Sequence, residues 1–420
     1  MRVGTDFRDQ FRETGHHERV ADLEAVRGLG IRRLRYPVSW ERVAPDRPDV
    51  CEWAWHDQRL AELRRLGMSP IVGLVHHGGG PERTSLLDPR FPPMLAQFAE
   101  NAARRYPWVT EWTPVNEPLT TARFSGLYGH WYPHHCSEDS FLQMVANQCR
   151  AVLLAMRAVR RVIPRARLVQ TEDLGRTFAT SRLQYQADHE NERRWLSLDL
   201  LCGRVDPAHP WHRRFRAAGV EDHVLEDFLR GDVGPMTIGW NHYVTSERYL
   251  DHRIALYPSG LHGGNGRDRY ADTEAVRVPM PAGSTGWLAR LREAWRRYPE
   301  WPMAVTEAHI GCTEDEQVRW LAEAWKAAAT LRDEGADLRG VTAWSLFGAV
   351  DWCSLLTCRR GRYEPGAFHA TCGDASPRMT MLGEAVAMLA QGGALDHPAL
   401  AGPGWWARED RLHAGLRCAG

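Results

Sequence analysis

The sequence predicts an α/β fold in which amphipathic helices alternate with short apolar strands. Helical segments that end in LG, YP, IP or a single glycine are repeatedly followed by a short strand, and seven such strands can be recognised. Strands that alternate with helices at this spacing form parallel βα units. No low-complexity linker interrupts the 420 residues. We therefore predict one domain over residues 1–420 with the (β/α)8 TIM-barrel architecture.

The strand segments are, in order, IRRLRYPVSW, SPIVGLVHH, VTEWTPVNEP, RLVQTEDL, MTIGWNHYVTS, PMAVTEAHIG and LRGVTAWSLFG. Each is short and bounded by glycine or proline, whereas the helices carry apolar residues at i, i+3, i+4 and i+7. No convincing strand precedes the first helix, HERVADLEAVRGLG, so we expect the first barrel strand to be short, irregular or missing. We expect residues 175–235 and 250–285, which are rich in Arg, His and Gly, to be long irregular loops at the rim of a site.

The composition excludes several classes of function. The 53 basic residues balance the 53 acidic ones, so the net charge gives no reason to expect binding to nucleic acid or to an anionic membrane. Lys326 is the only lysine and lies in the helical stretch LAEAWKAAATL. Chemistry through a lysine Schiff base is therefore not expected.

The cysteines and the amino-terminal residues indicate the cellular compartment in which we expect the protein. The nine cysteines are scattered without a CxxC pair, which is typical of reduced thiols. The amino-terminal stretch MRVGTDFRDQFRETGHHERV lacks the apolar segment of a signal peptide, and no apolar run is long enough to span a bilayer. We expect a cytoplasmic protein.

Two glutamates end apolar strands, at the position where barrels of this kind carry their function. Glu117 lies in TPVNEP and Glu307 in AVTEAHIG, three βα units later. Hydrolysis of a glycosidic bond needs such a pair, because one carboxyl protonates the leaving oxygen while the other attacks the anomeric carbon. Glu117 alone could equally be a loop carboxylate. Its pairing with Glu307 favours the catalytic interpretation.

The order of these motifs resembles glycoside hydrolase family 1 over roughly residues 20 to 390. TPVNEP looks like the acid/base segment that ends the fourth strand in that family, and AVTEAHIG is similar to its nucleophile strand. The resemblance implies a β-glucosidase-like retaining enzyme with a small-molecule glycoside as substrate and no cofactor. It assigns Glu117 as acid/base and Glu307 as the nucleophile that forms a covalent glycosyl-enzyme.

The same resemblance implies the other site residues. Arg35 in LRYPVSWERVAP and Tyr243 in MTIGWNHYVTS match residues that support the nucleophile, with Asn241 as a further support near Tyr243. LVHHGGGP and VTAWSLFGAVDW match segments that bind the sugar. The residues implied to bind substrate are Asn116, His76, Trp344, Asp351 and Trp352.

The chain departs from the family pattern at three places. His77 stands where a tryptophan usually follows the strand-3 histidine, Ala308-His309 replaces the usual Asn-Gly, and Asp351 replaces a glutamate. The chain looks closest to a divergent bacterial branch, whose members can be fused to a reductase resembling dTDP-4-dehydrorhamnose reductase. No GxGxxG stretch occurs here, so a sugar-nucleotide reductase would be a separate partner protein.

Other acids and histidines have simpler explanations. Glu172 also ends a strand, but it has no counterpart in the resemblance and is interpreted as a rim or structural acid. The histidine doublets at 16–17, 76–77 and 134–135 could suggest a metal. Adjacent strand residues point to opposite faces, however, and the HxH and HExxH spacings are absent. We predict no metal site.

Three functions remain open from the sequence. The first is a retaining β-glycosidase, for which the carboxyl groups of Glu117 and Glu307 should lie about 5 to 5.5 Å apart. The second is a transglycosylase that uses the same site with a sugar acceptor in place of water. The third is a non-catalytic barrel that binds a sugar or a sugar nucleotide. The retention of both glutamates together with Asn116, Arg35 and Tyr243 argues against the third.

Overall fold

The computed structural model describes residues 9–47, 50–231 and 233–417. Seven strands form one sheet: β1 (Arg33–Pro37), β2 (Ser69–His76), β3 (Glu111–Asn116), β4 (Arg167–Asp173), β5 (Met236–His242), β6 (Met303–Ala308) and β7 (Leu338–Ala343). Neighbours in the sheet follow the order of the chain. The pairs β1–β2, β2–β3, β3–β4 and β6–β7 are parallel. All seven predicted strand segments therefore form strands.

Helices connect these strands, as the alternation in the sequence predicts. Their bounds are Gln10–Glu13, Asp22–Gly28, Trp40–Val43, Ala54–Arg65, Phe91–Arg105, Pro118–Ala122, Glu138–Val162, Gln184–Arg193, Leu196–Leu201, His212–Ala217, Asp222–Leu229, Trp287–Arg297, Glu314–Asp333, Met381–Ala390 and Ala414–Arg417. The longest, Glu138–Val162, shows why they form. The hydroxyl of Ser137 caps the helix by accepting the N–H of Ser140 at 3.1 Å. Acidic residues lie in the first turn and arginines in the last turn, and these charges interact favourably with the helix dipole.

The structure tests the expectation about the first barrel strand only in part. Residues 9–32 contain two helices, Gln10–Glu13 and Asp22–Gly28, and within this stretch the structure assigns no strand. Residues 1–8 lie outside the described residues. The expectation of a short, irregular or missing first strand therefore agrees with residues 9–32, and for residues 1–8 it stays a prediction.

The expectation of irregular rim loops is wrong for much of both stretches. Residues 175–235 contain four helices, and residues around 247–274 contribute to a separate four-stranded sheet. That sheet pairs the strand Arg176–Ala179 with Glu247–Asp251, followed by Arg269–Glu274 and His262–Gly264. All of these elements are short, and several are polar, so their sequences show little hydrophobic periodicity. The helix Gln184–Arg193, for example, buries only Ala187 and Arg193.

The chain divides into two compact units, each discontinuous in sequence. The first unit comprises residues 1–172, 196–239 and 345–393, and the second comprises residues 173–195, 240–344 and 394–420. In the first unit Trp40 and Trp53 both stack on Phe98, with ring centroids 5.9 Å apart in each pair. The single domain over residues 1–420 stays a prediction.

The core of the second unit is also aromatic. Trp195 packs edge-on against Trp240 at 6.0 Å and against Tyr298 at 5.8 Å. The indole N–H of Trp240, on β5, donates to the sulfur of Met303, on β6, at 3.3 Å. The buried indole thereby satisfies its polar group and fixes β5 against β6.

Candidate active site

Glu117 lies one residue beyond β3, in the turn that starts the helix Pro118–Ala122. Its backbone is left-handed, with φ 44° and ψ 66°, a conformation that costs a non-glycine residue about 1–3 kcal/mol. Pro118 suits the first helical position because its φ is already helical. The Glu117 residue is only 4% exposed. A buried carboxyl in a strained turn is an arrangement that is concentrated at functional sites.

Glu172, near the end of β4, fixes the turn that carries Glu117. Its Oε2 accepts the N–H of Leu119 at 2.9 Å and the hydroxyl of Ser197 at 2.7 Å. Its Oε1 accepts the N–H of Thr120 at 3.3 Å and the hydroxyl of the same residue at 3.2 Å. These bonds satisfy backbone donors that the first helical turn leaves open. The contacts agree with the interpretation of Glu172 as a structural acid.

His77 brings an imidazole to Glu117. Its Nδ1 lies 2.9 Å from the Thr121 hydroxyl, and its Nε2 lies 3.7 Å from Glu117 Oε2. The residue is 6% exposed and its ring lies against Trp131, at 5.0 Å, and Trp352, at 5.7 Å. Sequence reasoning noted His77 as a departure from the family pattern and as part of a histidine doublet, and it assigned the residue no role. That departure was the signal that could have identified it as a site residue.

Asn116 ends β3 and presents an unused donor. Its Oδ1 accepts hydrogen bonds from the Arg35 guanidinium and from the Thr171 hydroxyl at 2.8 Å. Its Nδ2 is buried and has no hydrogen-bond partner among the residues that the structure describes. The contacts of Oδ1 fix the side chain, so the amide N–H2 is held ready for an acceptor such as a sugar hydroxyl.

His76, the last residue of β2, is exposed to solvent. Partial loss of water around the ring, with a smaller effect of the Arg35 positive charge, lowers the pKa of His76 below its usual value. The ring is therefore neutral near pH 7 and offers one N–H donor and one acceptor. Such a ring can contact a substrate, and that role of His76 stays a prediction.

Glu307 lies in the second unit and inside its strand, β6, which differs from the position of Glu117. The residue is 2% exposed. The Tyr243 hydroxyl donates a hydrogen bond to Glu307 Oε2. This is the contact that the sequence predicted for Tyr243. It holds the carboxylate in one orientation, and the catalytic roles of the two residues stay predictions.

Asn241 and His242 precede Tyr243 in β5 and at its end, and each makes its own hydrogen bond. Asn241 is buried, and its Oδ1 accepts the hydroxyl of Thr306 at 2.7 Å, which joins β5 to β6. His242 is buried on the other side, with Nδ1 2.9 Å from the Leu174 carbonyl oxygen. Burial lowers the pKa of His242 to about 3. Tyr243, the last residue of the run, donates its hydroxyl to Glu307.

Trp344 follows β7 and is partly exposed. Its ring centroid lies 4.4 Å from that of His309 in an edge-on arrangement, and its carbonyl oxygen lies 3.1 Å from His309 Nδ1. His309, which replaces the glycine of the family motif, thus anchors the start of the segment after β7. The substrate contact predicted for Trp344 is not tested by these contacts.

Asp351 is 0% exposed and closes a loop. Its Oδ1 accepts the N–H of Arg362 at 2.8 Å, and its Oδ2 accepts the N–H groups of Arg360 at 2.9 Å and Gly361 at 3.0 Å. Trp352 is partly exposed and lies against His77. These bonds give Asp351 a structural role, while the substrate contacts predicted for Asp351 and Trp352 stay predictions.

The structure thus brings the predicted residues together in two groups. The first unit holds Arg35, His76, Asn116, Glu117, Asp351 and Trp352, and the second holds Asn241, Tyr243, Glu307 and Trp344. Arg35 contacts Asn116, and its predicted support of the nucleophile stays a prediction. Three further residues contact Glu117 or the turn that carries it. Sequence reasoning missed Thr121, and it gave His77 and Glu172 no catalytic or binding role.

Within residues 9–47, 50–231 and 233–417, no cluster of three or more His, Cys, Asp or Glu side chains is placed to hold a metal ion. Among the same residues, none of the helices is both long enough and apolar enough to cross a membrane.

Comparison with known sequences gives a family match. The family profile described as "Glycosyl hydrolase family 1" matches residues 13–364. Beta-glucosidase 47 of Arabidopsis thaliana is 23% identical over 386 residues, which cover 83% of this chain and 71% of the relative. A 6-phospho-beta-glucosidase of Dickeya chrysanthemi is 25% identical over 373 residues, covering 81% of this chain and 76% of the relative.

Comparison with solved structures concerns the fold. A family 1 β-glucosidase from Thermotoga maritima is similar with a TM-score of 0.70 at 16% identity, over 90% of this chain and 87% of the other. At this identity the likeness shows the fold alone. It confirms the predicted (β/α)8 barrel.

Proposed function

The chain belongs to glycosyl hydrolase family 1, and on this premise we propose that it is a retaining β-glycosidase acting on a small-molecule β-glycoside. Glu307 is the proposed nucleophile and Glu117 the proposed acid/base. The observation that carries the proposal is the hydrogen bond from Tyr243 to Glu307. A carboxylate that is already held in one orientation loses less conformational entropy when it attacks the anomeric carbon, and this lowers the activation free energy.

In the first step, a carboxylate oxygen of Glu307 bonds to the anomeric carbon as the bond from that carbon to the leaving oxygen breaks. Glu117 gives its proton to the leaving oxygen. The products are the free aglycone and a glycosyl ester on Glu307, with Glu117 now ionised.

In the second step, Glu117 takes a proton from water, whose oxygen bonds to the anomeric carbon. The ester to Glu307 breaks at the same carbon, and Glu307 leaves as a carboxylate. Two inversions return the β configuration, and both glutamates recover their starting protonation states.

Two displacements at one carbon set the distance between the carboxyl groups. We expect about 5 to 5.5 Å in a crystal structure of the enzyme with a bound inhibitor. A separation of about 6.5 to 9.5 Å would instead indicate an inverting enzyme, because a water molecule must then fit between the carboxylate and the sugar.

The proposed sugar contacts begin with Asn116, whose buried Nδ2 has no partner among the described residues. Filling that position with a sugar hydroxyl would satisfy a buried donor that otherwise costs free energy. His76 offers a neutral ring at the end of the neighbouring strand, and Trp344 and Trp352 offer partly exposed aromatic faces. Asp351 is proposed to shape the loop, because its carboxylate already accepts three backbone N–H groups.

The test is hydrolysis of a panel of nitrophenyl β-glycosides, followed by trapping with an activated deoxyfluoro β-glycoside. We expect turnover of at least one glycoside, release of the β-anomer first, and one sugar adduct on the peptide that contains Glu307. Glu307→Gln is the matched control and should carry no adduct. Sugar binding without turnover across the panel would instead favour the non-catalytic barrel, and transfer to an added alcohol in preference to water would favour the transglycosylase.

A further inference from the structure

His77 is a buried group with no part in the mechanism above. It stands where the family usually has a tryptophan, and it contacts the proposed acid/base. Resting on the proposed function, we propose that His77, held by Thr121, is a positioning residue that orients the Glu117 carboxyl for proton transfer to and from the leaving group.

The register of the sheet brings His77 to Glu117. β2 pairs with β3 so that His76 lies opposite Asn116, and the next residue of each strand leaves the sheet at the same level. Both of these residues have left-handed backbones, with φ 58° at His77 and 44° at Glu117. Such conformations persist only where the surroundings hold them. Two of them side by side indicate that this pair is held in a defined arrangement.

Three contacts join His77, Thr121 and Glu117 in a closed ring. The Glu117 carbonyl oxygen accepts the N–H of Thr121 at 2.9 Å. The Thr121 hydroxyl lies 2.9 Å from His77 Nδ1, and His77 Nε2 lies 3.7 Å from Glu117 Oε2. The last distance exceeds a hydrogen bond, but contacts of this kind are often long without substrate and shorten in the Michaelis complex.

The imidazole has little freedom to turn away. His77 is 6% exposed, and its ring lies 4.6 Å from that of His76, 5.0 Å from that of Trp131 and 5.7 Å from that of Trp352. Trp131 is itself fixed, because its indole N–H donates to the Leu355 carbonyl oxygen at 2.7 Å. The ring nitrogen therefore stays directed at Glu117.

An imidazole can serve an acid/base better than the indole it replaces. Indole offers one N–H and no acceptor, whereas neutral imidazole offers one donor and one acceptor at the same time. The Thr121 hydroxyl can donate or accept. The pair can therefore present either a lone pair to protonated Glu117 or an N–H to ionised Glu117. Both states of Glu117 occur in each turnover of the proposed mechanism.

The experiment measures kcat/KM for β-glycosides whose leaving groups range from dinitrophenol to simple alcohols. We compare wild type with His77→Phe, which keeps a ring against Trp131 and Trp352 but removes both nitrogens, and with Thr121→Val, which removes the hydroxyl at nearly constant volume. His77→Gln is the conservative variant, because its amide nitrogen can replace Nε2. Glu117→Ala is the reference for complete loss of the acid, and thermal unfolding checks that each variant is folded.

For His77→Phe we expect a loss of about 10- to 100-fold on alkyl glycosides, part of the general-acid contribution. The loss should be within about twofold on the dinitrophenyl glycoside, whose departure needs little acid. Thr121→Val should change in the same direction by less, and His77→Gln should recover part of the loss. An equal loss on every substrate would overturn the proposal and leave His77 as a packing residue. If Glu117→Ala itself shows no dependence on the leaving group, the proposed function fails first, and the role of His77 fails with it.

Discussion

The two groups of side chains around Glu117 and Glu307 are built differently. Glu307 lies within the strand β6, and the Tyr243 hydroxyl donates a hydrogen bond to its carboxylate. Glu117 lies outside its strand in a left-handed turn, and the turn is held by Glu172 through backbone N–H groups. The contact from Tyr243 is therefore made to the carboxylate of Glu307, whereas the contacts from Glu172 are made to the backbone turn that carries Glu117. This contrast predicts that the two can be impaired by different kinds of substitution.

The largest expected effect separates the glutamates themselves. Glu307→Ala should lower turnover of an aryl glycoside on the order of 10⁶-fold, as for the loss of the covalent nucleophile in another enzyme. Glu117→Ala should still form the glycosyl-enzyme from a substrate with a good leaving group, and then stop because no base activates water.

Azide distinguishes these two failures, because it attacks without needing a base. It should restore turnover of Glu117→Ala and yield the β-glycosyl azide. With Glu307→Ala only an α-linked product should form, if any. Wild-type turnover in both alanine variants would show that neither glutamate is catalytic.

Tyr243→Phe tests the side-chain support of Glu307. A hydrogen bond to a charged group contributes roughly 1.5–3 kcal/mol, so kcat/KM should fall about 10- to 100-fold on all substrates alike. Tyr257→Phe is the matched control, since the Tyr257 hydroxyl donates to Asp251 at 2.9 Å in the same unit. It should lose similar stability but keep its activity. Equal activity losses in the two variants would argue against a specific role for Tyr243.

Glu172→Gln tests the backbone support of Glu117. The carboxylate accepts from four donors, two on Thr120 and one each on Leu119 and Ser197. An amide would turn its N–H2 toward some of these donors and leave them unsatisfied. The free energy of unfolding should fall by about 1–3 kcal/mol, measured by urea denaturation. Activity should fall most on poor leaving groups, and the same loss on every substrate would contradict this support.

The sequence predicted the strand positions of Glu117 and Glu307, but it did not predict all of the contacts that hold them. The strand positions followed from hydrophobic pattern and punctuation, and the Tyr243–Glu307 contact followed from the resemblance. The sequence indicated that Glu172 is a rim or structural acid, but not its partners, because the N–H groups of Leu119 and Thr120 lie some 50 positions earlier in the chain. Such a partner is fixed by the register between strands, which the pattern of one strand does not specify.

The buried carboxylate of Asp351 makes contacts that the resemblance did not specify. Its two oxygens accept the N–H groups of residues 360–362, and the substrate contact implied by the resemblance stays a prediction. A motif match gives the position of a residue, but it does not give the hydrogen bonds that its side chain makes with its own loop. Between residues 175 and 285 the hydrophobic pattern is weak for two different reasons. The helix Gln184–Arg193 buries only two residues, and the helix Leu196–Leu201, which is buried throughout, is too short to show a period.

The smallest effect concerns two buried imidazoles, His56 in the first unit and His242 in the second. Burial lowers the pKa of each to about 3. An unfolded histidine binds a proton below about pH 6.5, so the free energy of unfolding should fall as pH drops from about 6.5 toward 3. At pH 5 one such histidine lowers the free energy of unfolding by up to about 2 kcal/mol. Replacing either histidine by phenylalanine should make the free energy of unfolding less dependent on pH. The change in slope should be no larger than that expected for the uptake of one proton on unfolding.

At pH 7.5 the two substitutions should differ. Both ring nitrogens of His56 lack a hydrogen-bond partner among the described residues, so His56→Phe should be neutral or stabilising. His242→Phe removes the hydrogen bond to the Leu174 carbonyl oxygen and should cost about 1 kcal/mol. Because His242 precedes Tyr243, a small loss of activity should accompany that change and should be absent from His56→Phe. Urea unfolding at pH 7.5 and pH 5 measures both effects, and an unchanged pH slope in His56→Phe would show that this histidine is not held neutral.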